Sequence, residues 1–545
     1  MRRNRAGPAR RGGPPAVRGT LLPAAFVALW ALAGAPFSLD VGGTVRDGIL
    51  LGAGLLLAAG RAPLVPARLF EVVLVGAAAV EAVVAVSGWG SGFSRLGGTF
   101  TNPNHYAALV GAALAMVAAR SVIARSGWSV ALSLLGVVGL SGAASLSGSR
   151  ALPVAVLLVF AFLARYRPSG FSWRRWVVAL ALVVAAFASM KVTGERLADL
   201  AAGREPMAWS RSDLWAGALR VVKSSPVAGV GLGAFGEAWP GVRPERYAGL
   251  GSSYAHSEVM QMAAETGLVG LCLFAWLGIA LFRTRRAARE APGAAGALVV
   301  VAVFSLVDFA LHVPVLAVVA VVAIRALDRG TDAPRTGRRD SPSSRARAFI
   351  VAVAAAGVLF LGLDAASGMH CRKAARLAER GDEAGAVAAL RSALALMPLN
   401  ATAAAGLAEL DPRGADTPVF LARARWLRPA WMVPLSTAFR RSLEAGDREG
   451  AVRLMERAVA SDPWGLETRL MKARLFASNG EFGEAARILR EAGSVWPANA
   501  DLWFEKAHLA EAAGRKDEAR GILRNILRIR PGSAYARRWL ERLER

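Results

Sequence analysis

The chain has 545 residues, 54% of them hydrophobic, with a mean hydropathy of +0.38. A soluble protein of this length seldom holds so much apolar content, and the excess gathers into blocks of about 18–22 residues, the length that crosses a bilayer. A formal net charge of +26 suits either nucleic acid or membrane orientation; in a chain of apolar blocks the arginines serve orientation, and nucleic acid is set aside as a partner.

The opening MRRNRAGPARRGG belongs to a basic cytoplasmic tail, residues 1–19, because no small-residue cleavage site follows its apolar run. Apolar blocks then fall at 20–37, 47–60, 69–88, 104–119, 128–145, 147–164, 176–191, 262–282, 296–312, 314–327 and 348–366, which makes eleven candidate spans. With the tail inside, alternation puts RAPLVPAR, RSVIARSG, RYRPSGFSWRR, RTRRAARE and the linker around 331–347 inside as well. All are rich in arginine, as the positive-inside rule requires, and a slip of one span would reverse the asymmetry. The loop 192–257 is then outside, and the odd number of spans exports everything after residue 367.

The exported part, 372–545, is a different kind of polypeptide. Gly446, Gly480 and Gly514 are spaced 34 apart, as are Pro463, Pro497 and Pro531, and Ala451, Ala485 and Ala519 follow each glycine by five. This is the period of the tetratricopeptide (TPR) helix–turn–helix repeat, in which small residues let paired helices approach and glycine and proline end them. A unit with the same internal offsets, Gly381–Ala386–Pro398, lies 65 residues upstream of its successor, so 399–429 reads as an irregular repeat. The expected fold is all-α: a polytopic transmembrane bundle over 20–330, a cytoplasmic linker at 331–347, a last span at 348–366 and an α-solenoid over 372–545. His508 falls on a repeat helix and reads as packing. The two cysteines, Cys272 and Cys371, are far apart and form neither a disulfide framework nor a metal-ligand spacing. No metal and no cofactor are expected.

Polar residues that could carry chemistry follow in chain order. Gly97–Gly98–Thr99–Phe100–Thr101–Asn102–Pro103–Asn104–His105 is a polar turn leading into a helix, which Asn102 or Asn104 can cap with Pro103 in its first turn. The same amides could bind a phosphate or sugar at the helix N-terminus; both readings are open. Arg150, in Ser147–Gly148–Ser149–Arg150, is either a snorkelling anchor or a phosphate ligand. The loop holds fixed cations at Arg211, Arg220, Lys223, Arg243 and Arg246. Its Ser225–Pro226–Val227–Ala228–Gly229–Val230–Gly231–Leu232–Gly233 turn lacks the Lys-Ser/Thr of a phosphate-binding P-loop. His256 can titrate near neutral pH. Glu258, Gln261 and Glu265 share one helix face beyond it, and a carboxylate there could hold the imidazole in one tautomer, as a general base needs. Glu71, Glu81, Asp308 and His312 lie in or beside spans and are expected to face the protein interior.

The order of GTFTNPNHYA (98–107), SGSR (147–150), RSDLW (211–215) with PVAGVGLGAF (226–235), and AHSE (255–258) with ETGLVG (265–270) resembles the O-antigen ligase and Wzy-type polymerase superfamily. The resemblance covers roughly 20–330, and members often carry a C-terminal TPR region. It implies a glycosyltransferase of the bacterial cytoplasmic membrane that uses a polyprenyl-diphosphate-linked glycan. An acceptor hydroxyl on a lipid, glycan or protein would displace the lipid diphosphate, with His256 as base and Arg211 as the essential loop arginine. Arg150, Arg220, Asn102, Asn104, His105 and Glu258 are the further candidates for binding substrate. Many members have Asn after the motif histidine, where this chain has Ser257. Within the superfamily, polymerisation and protein O-glycosylation are the alternatives to ligation. Outside it stand a membrane-anchored scaffold whose repeats recruit an envelope-assembly protein, and a multispan transporter, for which no internal inverted repeat is found.

Overall fold

The computed structural model describes residues 18–59, 66–88, 97–189, 210–282, 289–328, 344–411 and 414–545. The first 17 residues, the start of the loop (190–209) and most of the linker (329–343) lie outside them. Among the described residues there is no β-strand. The apolar blocks before the loop are helices α1 (Arg18–Ala33), α2 (Val41–Ala59), α3 (Ala67–Ser87), α4 (Pro103–Ile123), α5 (Gly127–Ser145), α6 (Ala151–Tyr166) and α7 (Trp173–Ser189). The loop contributes α8 (Arg211–Ser224) and α9 (Phe235–Val242). The apolar helices α10 (Glu258–Phe282), α11 (Pro292–Val307), α12 (Pro314–Asp328) and α13 (Ser344–Glu379) follow. Six of these helices, α2–α5, α10 and α13, are long and apolar enough to cross a membrane. The remaining apolar helices, α1, α6, α7, α11 and α12, have 15 to 17 residues.

Helix α4 is the axis of the bundle, packed by α3, α5, α6, α7 and α11. Its run of alanines lets neighbours come close, which in lipid replaces the hydrophobic drive available in water. A Cβ added at Gly111 would lie 2.6 Å from Leu152 Cδ1, and one at Gly296 of α11 would lie 3.1 Å from Ala115. The outward faces stay apolar and exposed, with Val72, Val80 and Val83 on α3 and Leu132 and Leu135 on α5, as contact with acyl chains requires.

The ionisable groups expected to face inward divide. Asp308 is fully buried. Glu71 and Glu81 are not: Glu71 pairs with Arg120 at 2.9 Å on the half-exposed rim at one end of α4. Near the other end, Glu81 accepts from the Thr99 N–H (2.8 Å) and hydroxyl (2.7 Å). Both carboxylates find donors near helix ends, and that spares them an enclosed position.

Helix α10 is broken where the loop crosses it. Gly267 has φ +68 and non-helical ψ, so the carbonyls before it lose their helical partners. The glycine-punctuated turn supplies replacements: Val230 N–H donates to Ala264 O (3.0 Å) and Gly231 N–H to Glu265 O (2.9 Å). Trp30 Nε1 donates to Thr266 O at 2.9 Å, while Leu268 N–H reaches Pro226 O at 2.8 Å. The approach leaves no room for side chains, since a Cβ at Gly267 would clash with the Val227 carbonyl oxygen and one at Gly229 with the Glu265 carbonyl carbon.

The repeats are helix pairs. The far half of α13 packs on α14 (Glu383–Leu396), and α15 (Ala401–Leu410) and α16 (Thr417–Leu427) form the irregular unit. Then come α17 (Met432–Glu444), α18 (Arg448–Ser461), α19 (Leu466–Ser478), α20 (Phe482–Val495), α21 (Ala500–Ala512), α22 (Lys516–Ile529) and a closing α23 (Ala534–Glu544). Gly446, Gly480 and Gly514 end the first helix of each regular pair with φ of +73 to +79, and Ala451, Ala485 and Ala519 are fully buried between paired helices. His508 stacks on Trp539 at 4.1 Å, a packing role.

Gly267→Ala therefore forces a Cβ into a backbone carbonyl at a left-handed position and is expected to destabilise the protein by about 2–3 kcal/mol. Gly278→Ala, on the same helix with open space around it, serves as the control. Thermal unfolding in detergent should show a clear loss of Tm for the first and no loss for the second.

Candidate active site

The described polar groups converge on one carboxylate. Helix α11 ends at Val307, and Asp308 begins the turn before Pro314 restarts the chain as α12. Its side chain keeps 1% exposure. Oδ1 accepts from the Phe309 N–H at 3.0 Å and Oδ2 from Asn104 Nδ2 at 2.8 Å. His256 Nδ1 lies 3.1 Å from Oδ1. His105 Nε2 and the Arg211 guanidinium each lie 3.9 Å away. Donors reach both oxygens, an arrangement that suits the acceptor-only character of an ionised carboxylate.

Each contributor is set by local structure. Asn102 caps α4, accepting from the Asn104 N–H at 2.9 Å with Pro103 in the first turn. That cap turns Asn104 toward Asp308 and sets His105 one residue further, 3.4 Å from Asn102 Nδ2. His256 adopts φ +50, a left-handed conformation that costs a non-glycine residue on the order of 1–3 kcal/mol. The loop around it is braced to hold this. Ala255 N–H donates to Gln261 Oε1 (2.6 Å), Gln261 Nε2 to Glu265 Oε1 (2.6 Å), and Phe235 N–H to the same oxygen (3.2 Å). Ser257 stands at the N-terminus of α10, its carbonyl accepting from Gln261 N–H at 2.8 Å and its hydroxyl 3.5 Å from the Met260 N–H. Serine and asparagine are both strong caps, so the departure at this position keeps the cap.

The carboxylate beside His256 is Asp308. Glu258, expected from its position after the histidine to hold the imidazole, turns instead to the Leu311 N–H (2.7 Å) and His312 Nδ1 (3.1 Å). The helix directs Glu258 across to the turn after α11, where an unbonded backbone donor waits. Phe309 packs the cluster, with the His105 and His256 rings edge-on at 4.6 and 5.0 Å and Tyr254 stacked at 4.0 Å.

Four loop arginines compete in sequence, and the structure separates them. Arg220 donates to the Val242 carbonyl at 2.6 and 3.1 Å. Arg243 is buried and binds the Leu250 carbonyl and Asp462. Arg246 pairs with Asp213 at 2.5 Å. Arg211, the first residue of α8, is the one that reaches Asp308. Arg150 stands at the N-terminus of α6, half-buried, with no side-chain cap bond. The site thus joins Asn104, His105, Arg211 and His256, with Asn102 in support. Asp308, Phe309 and Tyr254 are the members that sequence reasoning did not assign to it. The signal for Asp308 was an acid inside an apolar block, four residues before a histidine.

The imidazole faces Asp308 through Nδ1, so that nitrogen carries the proton and Nε2 is left as a base. His256 retains 12% exposure and Arg211 24%, so both can meet a bound molecule, whereas Asp308 cannot. Among the described residues no cluster could hold a metal ion.

Residues 131–275 match the family model described as O-Antigen ligase, and residues 442–495 and 476–543 match a tetratricopeptide repeat model. The chain joins an O-antigen ligase domain to tetratricopeptide repeats. With its apolar helices this makes it a multi-pass membrane protein. The ligase match takes in Arg150, Arg211 and His256 and ends before Asp308. Comparison with curated proteins returned no match. Among solved structures, a thermophilic TPR protein of Thermus thermophilus is 19% identical, with 33% of this chain and 98% of that one covered at a TM-score of 0.29. Yeast Tom70 is 12% identical, with 95% and 96% covered at 0.26.

Asp213, at the start of α8, is held down at about 2 by the Arg246 guanidinium first and the Tyr247 hydroxyl second. A depressed carboxylate stabilises the folded loop above its unfolded pKa, and that stability is lost as pH falls through the folded value. Arg246→Ala should therefore lower the Tm by a similar margin at every pH from 8 down to about 4. The gap between wild type and variant should close as pH approaches 2.

Proposed function

We propose that this protein transfers a glycan from a polyprenyl-diphosphate carrier to an acceptor hydroxyl on the outer side of the bacterial cytoplasmic membrane. The observation that carries the reading is His256 and Arg211, on the loop of an O-antigen ligase domain, gathered at the buried Asp308. Nε2 of His256 takes the proton of the acceptor hydroxyl while that oxygen attacks the anomeric carbon. The bond from this carbon to the diphosphate oxygen breaks, with inversion, and the electron pair leaves on the lipid diphosphate. Arg211 offsets the negative charge that grows there. Asp308 holds the imidazole and stabilises the imidazolium, as a buried acid does for a catalytic histidine elsewhere.

Asn104 and His105 line the same cluster and are assigned to the sugar or phosphate beside His256. Arg150 and Arg220 are assigned to more distant parts of the donor. Glu258 supports the turn through His312 rather than touching substrate. Ligation onto a lipid or surface glycan is the first reading; polymerisation and protein O-glycosylation share its chemistry and differ in acceptor.

Surface-glycan profiling of a deletion strain complemented with wild type or variants tests this. His256→Ala should abolish transfer and let lipid-linked glycan accumulate while membrane insertion is kept. Asp308→Asn should lower transfer by about 10²- to 10⁴-fold. A ladder collapsed to single units would reassign the activity to polymerisation, and full rescue by His256→Ala would remove the catalytic reading.

A further inference from the structure

We infer that the repeat domain is a positioning element of the transfer site, acting on the His256 loop through Asp462 and Arg243. The inference rests on the glycan-transfer reading for its kinetics, but not for its geometry.

The Arg243 guanidinium bridges the two parts of the chain. One nitrogen of Arg243 donates to the Leu250 carbonyl at 2.9 Å, and another donates to both Asp462 oxygens at 2.8 Å. The side chains keep 6% and 13% exposure. Asp462 follows α18 in the Ser461–Asp462–Pro463–Trp464 turn, and its own carbonyl accepts from Thr468 Oγ1 at 2.6 Å. The acid is thus set by the repeat's punctuation and not by a mobile side chain. Beyond Leu250 the chain reaches His256 in six residues, tied down by Ser252 Oγ to Tyr254 O and Ala255 N–H to Gln261. A shift of Leu250 has little slack in which to dissipate before the imidazole.

The contact continues on both sides. Glu237 pairs with Arg428, which lies over Trp431 at 4.5 Å. Glu245 meets Arg469 at 3.3 Å. A Cβ at Gly241 would come within 3.0 Å of the Ala460 carbonyl, and one at Gly249 within 3.3 Å of Trp496 Nε1. Glu245 itself is exposed, and a pair with one partner in water contributes little. The Arg243–Asp462 pair decides the matter: a cation so enclosed cannot lose its counter-ion without a large penalty, so the loop depends on the repeats to keep its shape. Lysine could not span both acceptors, because the planar fork is what addresses carbonyl and carboxylate together.

The test uses the full-length protein in detergent with a lipid-linked glycan donor. Asp462→Asn is expected to lower kcat by about 10- to 100-fold, with the donor KM held within about two-fold. Trypsin should cleave at Arg246 faster than in wild type. If Asp462→Asn fails to fold, Arg243→Lys carries the same expectation. Glu245→Ala should behave as wild type in both assays. Wild-type kcat for Asp462→Asn overturns the inference, and so does an effect confined to the acceptor KM, which would make the repeats an acceptor-binding surface. Full activity of His256→Ala would instead remove the glycan-transfer reading, and the tryptic pattern would still decide whether Asp462 holds the loop.

Discussion

A carboxylate excluded from water at the break between two apolar helices is the constraint around which this molecule is arranged. Asp308 has almost no exposure, so its charge must be met by donors from within the protein. Each donor comes from a different stretch of chain: Asn104 from the start of α4, Phe309 from its own turn and His256 from the loop, with Arg211 near by. Satisfying one buried acid thereby gathers three segments that are remote in sequence. The cap at Asn102 and the left-handed backbone of His256 set two of these approaches.

Parts of this were legible in the sequence because their signals are one-dimensional. Apolar blocks long enough to cross a bilayer mark helices whatever they pack against, and a 34-residue spacing of glycine, proline and alanine marks repeats. His256 and Arg211 stood out for the same reason, as polar residues in ordered motifs. What could not be read was pairing. Glu258 follows His256 by two residues, yet the acid at the imidazole is Asp308, 52 positions away. Four arginines within one loop look equivalent until their partners are known, and those partners are a backbone carbonyl, Asp462 of the repeats, Asp213 and Asp308. Glu71 and Glu81 misled because an acid within an apolar run can still find a donor near a helix end.

The glycine-rich turn illustrates how a motif can serve structure and site together. Gly229 lets its segment lie against the broken part of α10, where the Val230 and Gly231 N–H groups replace lost hydrogen bonds. The same break lets Glu265 and Gln261 brace the chain just ahead of His256. A turn without a P-loop lysine is thus a backbone splice, and its glycines are required by contact distance.

Helix α13 has one more consequence. It runs 36 residues without interruption, about 54 Å at the usual rise, so the last apolar segment and the first helix of the solenoid are one continuous helix. A helix of this kind transmits tilt. When a bilayer thickens or thins, its spanning helices change inclination, and here the solenoid's root must swing with the span. The middle of the solenoid meets the loop through Arg428, Asp462 and Arg469, so the apolar helix, the repeats and the loop form one connected path through the protein.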